Sequence, residues 1–95
     1  MIFDLDPKKS EANREKHKVS LQEATLLWSV QAVVIEARTQ DEPRFMIIGK
    51  LKGKFYSCIF TVRGEAIRLI SARRSREKEE AIYYEHIGKE KHKSE

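Results

Sequence analysis

Ninety-five residues make one domain with a single modest core and leave no room for a second domain or a deep cofactor cleft. The chain is 40% hydrophobic and 36% charged, which excludes a disordered polyelectrolyte, and its longest apolar runs fall far short of the roughly 20 residues that span a bilayer. "MIFDLDP" has neither a basic nor an apolar signal region, and Cys58 is the only cysteine, so a cytoplasmic protein without a disulfide is expected.

In chain order, Asp6 is placed to cap a helix over 7–17 with Pro7 at its first position. Ala12 is that helix's only apolar residue, so neighbours such as Phe3 and Leu5 must hold it. "VSLQEATLLW" predicts a second helix: Ser20 and Glu23 form a capping box, Val19 staples onto Ala24, and Leu21, Ala24, Leu27 and Trp28 share the buried face.

From Gln31 the pattern changes to short runs rich in β-branched and aromatic residues. "AVVIEA", "RFMIIGKL", "KFYSCIFTV" and "AIRLISAR" predict four strands, turned at Lys52-Gly53 and Arg63-Gly64, with "TQDEP" at 39–43 as a polar loop. Strict alternation in the last strand puts Arg68, Ile70 and Ala72 on one face and Ile67, Leu69, Ser71 and Arg73 on the other. Ser75 is the expected cap of a final helix, which docks on the sheet through Tyr83, Tyr84 and Ile87. The expectation is an α+β fold with two N-terminal helices, a four-stranded antiparallel sheet and a C-terminal helix. It comprises one domain, 1–88, and a polar, frayed tail, 89–95.

The net charge of +4 is unevenly spread. Residues 1–49 carry seven Lys/Arg against eight Asp/Glu, residues 50–76 eight against one, and residues 77–95 four against six. One segment holds the positive excess, which suits a polyanion, although exposed basic residues that protect strand edges give the same count.

His17, His86 and His92 are scattered, and no HExxH, CxxC, phosphate-binding glycine loop or GxSxG motif occurs; no metal or cofactor is therefore expected. Arg63, Arg68, Arg73, Arg74 and Arg76 remain, with Lys50, Lys52 and Lys54 near them. The guanidinium fork matches a phosphate, so these side chains suit a ribose-phosphate backbone. Phe55, Tyr56, Tyr83 and Tyr84 could supply stacking for unpaired bases, though each taken singly is better explained as a core residue. His17 is either a cation favoured by the end of its helix or a proton-transfer group, with Lys16 beside it.

"FDLDPKKSEANREKHKVSLQEATLLW", "ARTQDEPRFMIIGKLKGKFYS" and "TVRGEAIRLISARRSREKEEAIYYE" together carry the motifs DPxKxxxNxxKH, ARTxDEPRF and RGExIRxISxRRSR. Over residues 2 to 85 the chain resembles the BrnT family of type II toxins. The resemblance implies a RelE-like ribonuclease fold and an endoribonuclease that cuts RNA and stops growth. It also implies neutralisation by a BrnA-like antitoxin, which contacts operator DNA itself and builds a higher-order complex with the toxin.

The matching positions are Lys8, Asn13, Lys16, His17, Arg44, Arg63, Arg68, Ser71, Arg73, Arg74 and Glu79. On this basis Arg63, Arg68, Arg73, His17 and Tyr83 are the expected catalytic residues, and Lys16, Arg44, Lys54, Arg74 and Arg76 the expected RNA contacts. Lys18 departs from the family's usual Gly after the KH pair, which puts the left-handed turn there in question. A module that grips RNA or an acidic partner without turnover, or a copy that has lost toxicity, is equally compatible with the residues alone.

Overall fold

A computed structural model describes residues 1–38 and 41–93, with side chains through Gly88. Its elements are β1 (Ile2–Asp4), α1 (Pro7–His17), α2 (Leu21–Ala24), a 3₁₀ turn (Thr25–Ser29), β2 (Ala32–Ala37), β3 (Arg44–Leu51), β4 (Lys54–Arg63), β5 (Ala66–Arg74) and α3 (Glu77–Lys93). The expected loop at 39–43 includes residues 39 and 40, which lie outside the described residues. The backbone of α3 continues to Lys93. The side chains of the expected tail, His92 among them, lie outside the described residues, as do residues 94 and 95 altogether.

The sheet has five strands in the order β1-β5-β4-β3-β2, not four. The extra strand is β1, parallel to β5 through Ile2↔Ala66, Phe3↔Ile67 and Asp4↔Arg68; every other pairing is antiparallel. Three residues are too few for an alternation pattern, so β1 is defined by its partner and not by its own sequence. The β3–β4 hairpin turns on Lys52 (φ 52°) and Gly53 (φ 80°), the two positive φ values of the tight turn that this dipeptide predicts. The next hairpin turns on Gly64 (φ 59°) and Glu65, one position later than expected, because Arg63 still pairs with Ala66.

α1 begins as its sequence demands, with Asp6 Oδ1 accepting the Lys8 N–H at 2.8 Å. Lacking an apolar face, it is held by polar contacts. Asn13 Nδ2 donates to the Val19 and Ala72 carbonyls at 2.6 and 2.8 Å, and its Oδ1 accepts the Ala72 N–H at 3.2 Å. Since β1 pairs with β5 only as far as Arg68, this side-chain amide takes over the strand edge where the backbone partner ends. Ser10 Oγ accepts the Gln22 N–H at 3.1 Å and ties α1 to α2.

The capping box at Ser20 and Glu23 forms as expected, but the second helix is a single α turn that tightens into the 3₁₀ turn at Thr25. Thr25 Oγ1 bonds back to the Gln22 carbonyl at 2.7 Å, a local contact that competes with the α ladder. The tightening seats the fully buried Leu27 against Gly49, where a Cβ would stand 3.1 Å from Leu27 Cδ2 and 3.2 Å from Ala32 Cβ.

Two cores flank the sheet. Val19, Leu21, Ala24 and Leu27 pack on Ile47, Cys58, Phe60, Leu69 and Ala72. Edge-to-face rings extend this core from Phe3 through Trp28 to Phe60, at 5.2 and 5.0 Å between centroids. On the other face, α3 covers β2 and β3 with Tyr83, Ile82 and Ile87 against Val33, Ile48, Phe55, Ile35 and Met46.

Candidate functional site

The functional face is set by a β-bulge. Ile59 pairs with Ser71 and Phe60 with Leu69, so Ile70 has no partner across β4. Leu69 and Ala72 both enter the first core, and the residues beside them, Arg68, Ser71 and Arg73, therefore all point to the opposite face. Strict alternation separates Arg68 from Arg73; the bulge unites them. Arg63 joins this face because it lies diagonally across from Arg68, whose direct partner is Thr61, at a Cα spacing of roughly 7–8 Å.

The three arginines are held differently. Arg63 Nη2 is 3.4 Å from Glu42 Oε2, and Arg68 Nε is 4.0 Å from Asp4 Oδ2, with arginine side chains 54% and 39% exposed. Such loose, solvated pairs are worth little and can be exchanged for a phosphate. Arg73 is committed: it forms a bidentate pair with Glu79 at 2.8 and 2.7 Å and donates to the Arg74 carbonyl at 3.1 Å. That pair raises the Arg73 pKa, with burial opposing and the Glu79 charge adding to the rise.

Glu79 also accepts Ser57 Oγ at 2.8 Å and the Arg76 N–H at 3.0 Å. Ser75, the expected cap of α3, instead donates its N–H to the Phe55 carbonyl at 3.0 Å and shares a 2.7 Å hydroxyl contact with Ser57. Glu79 thus reaches back to the amide of Arg76, the residue just before α3, as the acidic member of a capping box does.

The five arginines of 63–76 do not share one pocket. Arg74 faces the α1 and α2 side, its guanidinium 5.8 Å from the centroid of the Tyr56 ring, and Arg76 is exposed before α3. Lys54 is exposed at the start of β4 opposite Leu51, and Arg44 is exposed at the start of β3. Lys16 is exposed and His17 half-buried at the end of α1. This end lies beside Tyr56, because Lys18 lines a cleft with it. Tyr56 and Thr61 are five residues apart on β4, so the His17 and Arg74 end stands roughly 16 Å from Arg68. The expected site residues therefore form two groups, one around Arg63 and Arg68 and one around Lys16, His17, Lys54 and Arg74.

Tyr83 belongs to neither group. Its ring is 9% exposed and meets Phe55 edge-on at 4.9 Å, inside the second core. The exposed ring of the pair is Tyr84, which also abuts Phe55, at 5.5 Å. Two adjacent tyrosines on a helix give no sequence signal for which one turns inward. Burial pushes the Cys58 thiol up to about 12, so it stays protonated and packs as a small core residue.

These features define a small α+β domain with exchangeable cations on an open sheet face. The family model of the ribonuclease toxin BrnT, of type II toxin-antitoxin systems, matches residues 5–79, and the chain belongs to that family. The match ends at Glu79 and so includes the latch to Arg73 but excludes Tyr83. Comparison with curated proteins finds no match. Among the described residues no helix is long and apolar enough to cross a membrane.

Proposed function

We propose that this member of the BrnT family is a metal-independent endoribonuclease, active in the cytoplasm, that arrests growth and is silenced by a BrnA-like antitoxin. The observation that carries the reading is the placement of Arg63 and Arg68 on one open face in loose ion pairs. A scissile phosphodiester seated there displaces Glu42 and Asp4. Attack by the substrate's own 2′-OH then builds a phosphorane whose added negative charge the two guanidinium groups stabilise. The 2′-OH gives its proton to water, the 5′-oxygen takes one from water as its bond to phosphorus breaks, and a 2′,3′-cyclic phosphate and a 5′-hydroxyl remain.

In this reading Lys16, His17, Lys54 and Arg74, roughly 16 Å from Arg68 and beyond hydrogen-bond reach of a phosphate seated there, hold flanking backbone together with Arg76 and Arg44 and move no proton. Tyr83 is the weakest of the assigned groups, since its packing withdraws the hydroxyl-bearing ring from RNA. The antitoxin supplies contact with operator DNA, and the pair assembles into a higher-order complex.

The test is incubation of the purified chain with RNA in EDTA, followed by end-group analysis. Cyclic phosphate and 5′-hydroxyl ends, lost in Arg68→Ala with the fold intact, are the expected result. RNA that is bound but uncut identifies a non-catalytic module, and cleavage that persists in Arg68→Ala overturns the assignment. His17→Ala that is as inactive as Arg68→Ala returns the proton-transfer role to His17.

A further inference from the structure

A cleft of about 120 Å³ opens on the opposite side of the molecule from Arg63 and Arg68, between the α1–α2 corner and the β3–β4 hairpin. Val19, Leu26, Leu51 and Tyr56 form its apolar wall, and Lys18 and Lys52 flank it. Lys54, opposite Leu51, and Arg74, over the Tyr56 ring, extend the positive rim. The one carboxylate in the lining, Glu23, stays ionised, its pKa lowered chiefly by the Ser20 N–H at 3.0 Å; Arg14 Nε stands 3.9 Å from it, and the rim cations outnumber it four to one. Leu26 is 51% exposed at the mouth, whereas its neighbour Leu27 is wholly buried.

We propose that this cleft anchors the antitoxin by taking one apolar side chain from an acidic segment of it; the inference rests on the reading of the chain as an antitoxin-controlled toxin. Aliphatic walls around this volume fit a leucine-sized or phenyl-sized group, since dry apolar cavities of similar size accept benzene. Four cations around an apolar hole select a segment with carboxylates on both sides of its anchor, by charge complementarity. RNA fits less well: a base needs an open aromatic face, and Tyr56 is half-buried in the first core with Arg74 over its ring. Because the cleft is remote from Arg68, and neither Leu26 nor Lys52 is among the RNA contacts proposed above, the anchor can be lost through these two residues while cleavage continues with Lys54 and Arg74 left in place.

The experiment measures two things on each variant: affinity for the cognate antitoxin by titration calorimetry at low and moderate salt, and RNA cleavage. Leu26→Glu places a like charge at the mouth, and Lys52→Asp reverses a rim charge with a residue that tolerates positive φ; thermal melts check the fold of each. The expected result is an affinity loss of about tenfold or more in both, the size of a central contact in an interface, with cleavage unchanged. The salt dependence also becomes shallower in Lys52→Asp. Unchanged antitoxin affinity in both variants overturns the proposal, as does weakened cleavage with unchanged antitoxin affinity, which makes the cleft an RNA subsite. If the unaltered chain binds no antitoxin, the failure lies in the toxin-antitoxin reading beneath it.

Discussion

Arg73 and Glu79 close a two-pronged ion pair across the corner where β5 gives way to α3, with both N–O distances under 3 Å. The same carboxylate receives Ser57 from β4 and the amide before the first helical turn. One side chain therefore fastens two strands and a helix start. Burial acts to raise the Glu79 pKa, but the Arg73 hydrogen bond, the Arg76 amide, the Ser57 hydroxyl and the Arg73 charge outweigh it and leave the group at about 2.

A carboxyl that titrates near 2 when folded and near 4.5 when free stabilises the fold in full above pH 4.5, and that contribution drains away as pH falls from 4.5 towards 2. The whole of it amounts to at most about 3 kcal/mol. Glu79→Gln removes the titration: urea unfolding at pH 7, 4 and 3 falls steeply for the unaltered chain and less steeply for the variant. Equal slopes for the two proteins sink this account of the latch.

Asn13 makes a second prediction, because its amide replaces a strand partner. Asn13→Ala orphans the Ala72 N–H and C=O and the Val19 carbonyl in a buried place. The expected cost is about 3 kcal/mol, the scale of leaving several buried polar groups unsatisfied. Amide exchange reads the effect locally: the Ala72 N–H loses protection ahead of the Cys58 region beside it. Uniform loss of protection instead assigns Asn13 a global role.

The contrast between these two residues marks how far the sequence could be read. The caps of α1 and α2, the β3–β4 turn, three strands of meander and the inward face of α2 rest on local chemistry, and Asp6, Ser20, Glu23 and Lys52-Gly53 declare them; the cap expected at Ser75 and the turn expected at Arg63-Gly64 are displaced by contacts with β4 and β5. The bulge at Ile70 does not declare itself. In "AIRLISAR" the adjacent apolar pair Leu69-Ile70 breaks the alternation, but a strand covered on both faces carries such pairs without a bulge, so only pairing with β4 reveals that one residue is extra and that Arg68 and Arg73 share a face. β1 and the Asn13 clamp are missed for the same reason, since each is defined by a partner over fifty residues away. Arg73 stands in the family-like motif and Glu79 three residues beyond its end, yet spacing alone cannot tell a phosphate-seeking arginine from one already taken by a carboxylate.

Lys18 tests backbone strain. It adopts φ 65° and ψ 14°, and its N–H closes α1 onto the Arg14 carbonyl at 2.8 Å, so the left-handed turn persists without glycine. A side chain there costs about 1 kcal/mol or more. Lys18→Gly relieves that strain and, in a domain of this size, raises the melting temperature by about 4–8 °C per kcal/mol gained. A melting temperature that is unchanged or lower shows that the lysine's contacts along the cleft outweigh the strain.

The last prediction separates holding from catalysing among the arginines. Arg68 and Arg73 share a face, yet only Arg68 has a partner at 4.0 Å that a phosphate can displace cheaply. Arg73→Ala leaves Glu79 as a nearly buried carboxylate without its cation, which costs about 2–4 kcal/mol and loosens α3. Arg68→Ala removes an exchangeable surface pair and costs under about 1 kcal/mol. Cleavage assayed beside denaturant melts should therefore fall in both variants, with stability falling only in Arg73→Ala. Arg68→Lys completes the set. An ammonium keeps the charge but loses the planar fork, so it restores part of the rate if charge alone matters and little if the phosphorane is held by two parallel N–H bonds. A stable Arg73→Ala that has lost all activity contradicts the division and returns Arg73 to the phosphate.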